Sequence, residues 1–436
     1  MRIAPLLSRT SGALRAVANL PLVLLAAIWR RTVLRRVTVI AITGSVGKTT
    51  AKNCLAAILS DVAPTIALPG GNNGRYGLPR LLLRGRPSHR FLVAEVGILQ
   101  PGRMWRSAWL LNPDAAVITK INWQHAKNFE SLDQIAFEKA LLLEPLGAAG
   151  LAVLNADDER VSAMGAGRNC RLRTFGLGDA ADVKGSVATA RWPQRLRLDV
   201  TEGSEIRQLQ TRLVGGHWAV SVLAAVAAAR ALGASWEHCE RGLASVEPHP
   251  GRLSLVRLPS GADLLRDEYN GSFATLVEAL EVLKQARAER KVLVLGHIMD
   301  APQVGEAAPE ETAKRASPVA DLLLFWGAYA ERYKKAALAA GTPSEKVLVF
   351  AQQHDLAAFL KQESRLGDLI LVKGYWFDHM TRIVYEQFGT VSCRLPYCEI
   401  TSVCDPCRRM GFRLDPSLPG GLDESLALAQ SRLPAK

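Results

Sequence analysis

The sequence predicts an α/β protein built around parallel sheets. Three observations carry that prediction. Short runs of Val, Ile, Leu and Ala recur at intervals that leave room for a helix between them. A glycine-rich loop joins the first such run to a helical stretch. A hydrophobic fraction of 48% against 22% charged, over 436 residues, is that of a folded chain of two or three domains. Disordered, collagen-like and coiled-coil chains are excluded.

The N-terminal segment, residues 1–36, is basic and apolar. No acidic residue occurs before Asp61, while Arg2, Arg9, Arg15, Arg30, Arg31, Arg35 and Arg36 bracket an apolar run from Ala16 to Trp29. The run is shorter than the roughly 20 residues needed to cross a bilayer. IWRRTVLRR follows it where a secretory signal would carry a small-residue cleavage site. Two readings stand. The helix lies in a membrane interface with its arginines toward anionic lipid, or it packs on the domain behind it with its arginines solvated.

A central domain, residues 37–247, follows. Its candidate strands are VTVIAI (37–42), RFLVAEV (90–96), AAVITKI (115–121) and GLAVLNA (150–156), and Ala219 to Leu232 reads as an Ala-rich helix packed on their sheet. SVEPHPGR (245–252), with two prolines and a glycine, reads as a linker. A second α/β unit over 248–390 has candidate strands DLLRDEYN (263–270), KVLVLG (291–296), DLLLFWG (321–327), KVLVFA (346–351) and DLILVKG (368–374). A Cys-containing tail, residues 391–436, closes the chain.

Fifty-four Lys and Arg against 41 Asp and Glu leave a net charge of +13, which favours anionic partners without choosing among them. Dispersed arginines and the lack of an aromatic-rich RNA motif rank nucleic acid last. Seven cysteines at irregular spacing make no disulfide framework, so a reducing compartment is the default. Cys54, Cys170 and Cys239 read as core residues. Cys393, Cys398, Cys404 and Cys407 fall as C-x4-C-x5-C-x2-C. Four thiolates can hold a structural Zn²⁺, although the spacing between the halves is cramped; an iron–sulfur cluster is weaker on the same ligands. The alternative is a set of small buried thiols or a partner-binding tail.

The strongest motif is TGSVGKTT, Thr43 to Thr50, between a strand and a helix. A helix N-terminus after a glycine turn presents free backbone N–H groups to phosphate oxygens. Gly44, Ser45, Val46, Gly47, Lys48, Thr49 and Thr50 are therefore the predicted nucleotide-binding residues. Lys48 reaches the outer phosphates and the Thr49 hydroxyl is placed for Mg²⁺.

Further segments follow in a set order: NNGRYGLP (72–79), AEVG (94–97), INWQHAKNFESLDQIAFEK (121–139), LNADD (154–158), GGHWAVSVLAA (215–225), PGR (250–252), DEYNGSFATL (267–276) and LVKG (371–374). Through them the chain from Val37 to about Gly389 resembles the Mur ligase family of ATP-dependent amide-forming enzymes. The resemblance implies a P-loop central domain with a parallel sheet and a Rossmann-like C-terminal ligase domain. It implies a carboxylate activated by ATP as an acyl phosphate and captured by an amine. It also implies a catalytic set of Lys48, Glu95, His125 and Lys139. Of these, Glu95 and His125 bind Mg²⁺ with Thr49, and Lys139, as a carbamate, helps to bind a second Mg²⁺; on residue type alone Lys139 also reads as a solvated helix lysine. Arg252, Asp267, Tyr269 and Asn270 would meet ATP from across the cleft, and Lys373 resembles the substrate-side lysine of the C-terminal domain.

The sequence departs from the family in places. The adenine segment reads His217, Trp218, Ala219, Val220, Ser221 without its two asparagines, so that the base either stacks on Trp218 or is held loosely; Lys120 and Arg266 replace an asparagine and an aspartate. Thirty-six residues before the first strand are too few for the family's N-terminal UDP-sugar domain. The expectation is therefore a ligase with altered substrates, acting on a peptidoglycan-related or other cell-envelope carboxylate and an amino-acid or peptide amine. It would work in the cytoplasm, in peripheral contact with the inner face of the membrane through residues 1–36. The alternatives are a ligase polymerising an amino acid through γ-linkages and a non-catalytic, ATP-binding scaffold at the membrane.

Overall fold

The computed structural model describes residues 20–70, 76–123, 128–299, 305–395, 398, 403–405, 407–418 and 420–432. His125, the whole NNGR stretch, residues 300–304 and residues 1–19 lie outside them.

Nine strands form the first sheet: β1 (Thr38–Thr43), β2 (Thr65–Ala67), β3 (Phe91–Glu95), β4 (Ala115–Ile118), β5 (Leu151–Asn155), β6 (Arg171–Gly176), β7 (Val183–Thr189), β8 (Arg197–Glu202) and β9 (Glu205–Gln210). Their spatial order is 2-3-1-4-5-6-7-8-9. The pairs from β2 through to β7 are parallel, as the alternation of strands and helices predicts. Successive side chains of β1 enter opposite cores. Ile40 and Ile42 pack with Cys54, Leu55 and Val222 on one face, Val39 and Ala41 with Leu92 and Leu111 on the other. Burial on both faces is why these strands read as unbroken apolar runs.

The antiparallel meander β7–β8–β9 was not foreseen. Leu198 and Val200 of β8 are buried while their neighbours are half-exposed. Such short alternating segments carry a weaker signal than doubly buried strands.

The second sheet holds β10 (Ser254–Arg257), β11 (Asp263–Asp267), β12 (Arg290–Leu295), β13 (Leu322–Trp326), β14 (Val347–Phe350) and β15 (Asp368–Lys373), in the order 10-11-15-12-13-14. All pairs are parallel except the edge pair β10–β11. Each expected strand is present with trimmed ends. In DLLRDEYN the strand stops at Asp267, so Tyr269 and Asn270 sit on the loop at the carboxyl edge, where open α/β sheets bind ligands.

The segment after 391 is no detached tail. β16 (Gly389–Val391) pairs with β17 (Phe412–Leu414), and Cys404, Met410 and Leu426 enter the same core as Val256, Ile370 and Tyr385. Arg266, 1% exposed, is clamped between two carboxylates. Its Nη1 and Nη2 donate to Asp405 at 2.6 and 2.9 Å, and its Nε and Nη2 to Glu268 at 2.9 and 2.5 Å. The arginine that replaces the family's aspartate is thus the anchor of the C-terminal segment. Cys54 and Cys239 are buried as expected, whereas Cys170 is half-exposed.

Candidate nucleotide-binding cleft

The loop after β1 places the chemistry. Gly44 has φ 146° and Gly47 φ 82°. A Cβ at Gly44 would lie 2.0 Å from Thr119 Oγ1, and one at Gly47 2.3 Å from Ser221 Oγ. Only glycine fits both conformation and space. Helix Lys48–Val62 begins immediately after Gly47, so its first N–H groups lack helical acceptors and face the cleft.

Two lysines converge on one carbonyl. Lys48 Nζ donates to Gly44 O at 2.7 Å and to Ser45 O at 3.1 Å. Lys139 Nζ, from helix Leu132–Ala140, donates to the same Gly44 O at 3.0 Å. Burial lowers the Lys48 ammonium to about 8, offset in part by Glu95 and reinforced by Arg252. Burial, and then the Lys48 charge, push Lys139 well below the ordinary lysine range. Lys139 is 1% exposed, which removes the solvated-lysine reading. Glu95 ends β3 beside Ile42 in register and is buried, as are Thr49 and Thr50 at the start of the helix. Hydroxyl and carboxylate are the hard oxygen donors that suit Mg²⁺, and the buried Ser45 Oγ has no hydrogen-bond partner among the described residues.

The opposite wall comes from the linker and the second sheet. The Arg252 guanidinium lies 4.6 Å from the centre of the Tyr269 ring, and the His249 and Tyr269 rings meet edge-on with centres 5.3 Å apart. Asp267, Asn270, Thr275 and Glu278 line the same cleft as Ser45–Thr49. Burial raises the Asp267 carboxyl to about 6 against the pull of Lys373. It raises Glu278 to about 7 against Lys120 and Lys373. His217 is held near 3, hence neutral, by burial and the Lys373 charge, and its ring packs 4.5 Å from that of Trp218.

One expectation needs correction. Lys373 is fully buried; its Nζ donates to Asp267 Oδ2 at 2.7 Å, Asn270 O at 2.6 Å and Thr275 Oγ1 at 3.1 Å. It is an internal counter-ion that shapes the cleft wall, and no substrate-side group. Trp218 is 7% exposed and belongs mainly to the core.

Two residues of the cleft lining, Thr275 and Glu278, were missed, and so was the buried Lys52. Lys52 donates to Leu68 O and Gly70 O at 2.6 Å each and is lowered to about 8 by burial; its position one helical turn after Lys48 was a readable sign. Thr275 and Glu278 share a face of helix Phe273–Gln285 at i, i+3, a signal that needs the helix start to be known.

The four C-terminal cysteines do gather. All line one small pocket, with His379 Nε2 3.3 Å from Cys398 Sγ and His379 Nδ1 3.3 Å from Cys404 Sγ. Among the described residues, however, no three His, Cys, Asp or Glu side chains are arranged to hold a metal ion. The thiols are collected but lack ligating geometry, so the zinc expectation gains no support.

A glycine loop, two buried lysines and a facing α/β sheet define a protein of the P-loop nucleotide-binding class. Family models agree: the Mur ligase middle domain matches residues 42–229, and the Mur ligase, glutamate ligase domain matches residues 251–375. The chain belongs to the Mur ligase family. It is 31% identical over 282 residues to the UDP-N-acetylmuramoyl-tripeptide–D-alanyl-D-alanine ligase of Escherichia coli, covering 62% of each chain. It is 27% identical over 346 residues to the enzyme of that name from Bacillus subtilis, covering 77% of this chain and 72% of the relative. Among solved structures, MurF of Acinetobacter baumannii matches with a TM-score of 0.75 at 27% identity, over 85% of this chain and 80% of that one. MurF of Thermotoga maritima in complex with ADP shares the fold, with a TM-score of 0.72 at 22% identity, over 84% and 82%. The chain thus spans 62% of the length of the E. coli relative, and the matches begin near β1.

Proposed function

We propose that this chain is an ATP- and Mg²⁺-dependent ligase joining a carboxylic acid to the amine of an amino acid or short peptide. The observation that carries the reading is the convergence of Lys48 and Lys139 on Gly44 O, opposite Arg252. Two buried lysines on one acceptor leave little room for a second positive charge, which lowers the proton affinity of Lys139, and a triphosphate offsets the charge that Lys48 carries. The depressed Lys139 amine is also suited to add CO₂, which turns a cation into a carbamate anion. Thr49, Glu95 and that carbamate would hold Mg²⁺, which when bound neutralises charge on the phosphates.

The loop N–H groups and Lys48 orient the γ-phosphate. A substrate carboxylate oxygen attacks its phosphorus, and the bond to the bridging oxygen of ADP breaks. The incoming amine then adds to the acyl carbon and phosphate leaves. Arg252 and the Asn270 loop close the cleft from the other sheet, keeping water from the acyl phosphate. The names of the relatives favour a cell-envelope peptide carboxylate as acid and a dipeptide such as D-alanyl-D-alanine as amine.

Phosphate release is the test, across a panel of envelope acids with amino acids and dipeptides, with mass spectrometry of the product. Release that requires both an acid and an amine supports the ligase. No release with any pair favours the non-catalytic ATP-binding scaffold, release that needs no amine marks ATP hydrolysis and refutes the ligase reading, and products extended by several identical residues favour the polymerising reading. Lys139→Ala is expected to abolish turnover, with partial rescue by short carboxylic acids; full activity of the variant refutes its assignment.

A further inference from the structure

Helix Leu20–Thr32 has two unlike faces. Its inner face is anchored to the first sheet's outer layer. Ala26 and Ala27 are buried, and Arg30, 3% exposed, donates to Leu111 O at 2.9 Å, Leu34 O at 3.0 Å, Asn112 O at 2.8 Å and Asp114 Oδ2 at 2.9 Å. The outer face carries Leu20, Leu24, Leu25 and Ile28, which are 56%, 45%, 52% and 59% exposed. Leu20, Leu24 and Ile28 stand at i, i+4, i+8, so they form one stripe along the helix.

Trp105 and Trp109, 52% and 44% exposed, stand one turn apart on the adjoining helix Met104–Leu111. Arg31 joins the two helices: its guanidinium lies 5.0 Å from the Trp109 ring centre and donates to Trp109 O at 2.6 Å. Arg35, Arg36, Arg103 and Arg106 are exposed around this surface. No acidic residue occurs among residues 1–60 or 96–113.

We infer that this surface seats the protein on an anionic lipid bilayer, with the leucine stripe and the two tryptophans in the interface and the arginines on the headgroups. Charge and chemistry choose the occupant. Tryptophan, leucine and arginine, with the neighbouring Asp114 taken up by Arg30 on the inner face, are the composition of an interfacial helix, and arginines gain roughly equally from every anionic headgroup they reach. No described helix is long and apolar enough to cross a membrane, so the helix lies on the bilayer. The buried Arg30 fixes its roll angle, so the stripe is preformed. The inference is independent of the ligase reading and survives or falls by itself.

Co-sedimentation of the full chain with vesicles tests it, using phosphatidylcholine alone and phosphatidylcholine with phosphatidylglycerol. Binding is expected to the anionic vesicles, to weaken with added salt, and to be far weaker on the neutral ones. Leu24→Glu with Ile28→Glu is expected to lower the partition coefficient about tenfold or more while leaving ATP binding and thermal unfolding unchanged. Arg35→Glu with Arg36→Glu is expected to remove the preference for anionic lipid. Wild-type protein that stays in the supernatant at low salt, or a double-glutamate variant that binds as well as wild type, overturns the proposal. So does self-association by sedimentation velocity that the Leu24→Glu, Ile28→Glu change abolishes without any vesicle binding, since the stripe would then be a contact between copies.

Discussion

Replacing Lys373 with methionine isolates the ion pair that shapes the ligase-side wall. Lys373 is fully buried and Asp267 is 7% exposed, so the change leaves a carboxylate in a dry site without its counter-ion. Breaking one partner of a buried pair costs about 3–5 kcal/mol. The loss depends on pH. Asp267 already titrates near 6 in the fold, above the ordinary 3.8, so its burial is free of penalty below about pH 4 and costs stability as pH rises through 6. Without the attraction of Lys373 its affinity for the proton climbs further. The gap between variant and wild type should therefore be small at pH 5 and reach about 2–3 kcal/mol by pH 8. Urea unfolding followed by tryptophan fluorescence measures it at both values. Asp267→Asn combined with Lys373→Met removes both charges and should recover most of the loss. A gap below about 1 kcal/mol at pH 8, or one that does not change with pH, refutes the reasoning.

Three other outcomes are expected. Gly47→Ala forces a left-handed alanine, about 1–2 kcal/mol, and drives its Cβ against Ser221 Oγ; ATP affinity by calorimetry should fall about tenfold, with Ser221→Ala restoring only the steric part. Lys48 titrates near 8, so at pH 8 triphosphate binding should draw about half a proton from solution, visible as a buffer-dependent binding enthalpy that vanishes near pH 6.5; ATP affinity should decline above pH 8. Arg266→Met leaves Glu268 and Asp405 buried without their shared cation, about 3–5 kcal/mol, and limited proteolysis should then cut beyond residue 391, where wild type resists.

Much of the cleft was legible in the order of the residues because phosphate binding is local. A strand, two glycines, a lysine and a helix N-terminus make their site within one turn of chain, so Gly44 to Thr50 announce it unaided. Glu95 was legible as the last residue of an apolar strand. Lys373 misled because a strand-end lysine looks the same whether it faces substrate or a buried aspartate 106 positions away. The role of Arg266 was equally hidden, since its partner Asp405 lies 139 residues along the chain.

The sequence by itself determined the α/β class, the doubly buried strands and the phosphate loop, because apolar periodicity and glycine conformation act between near neighbours. Only the tertiary structure decided that Lys139 shares Gly44 O with Lys48, that Lys373 is an internal counter-ion, and that residues beyond 391 complete the second core. Each of these depends on burial, which sets the cost of a charge and the need for its partner. Burial is a property of the whole folded chain, and no stretch of sequence carries it alone.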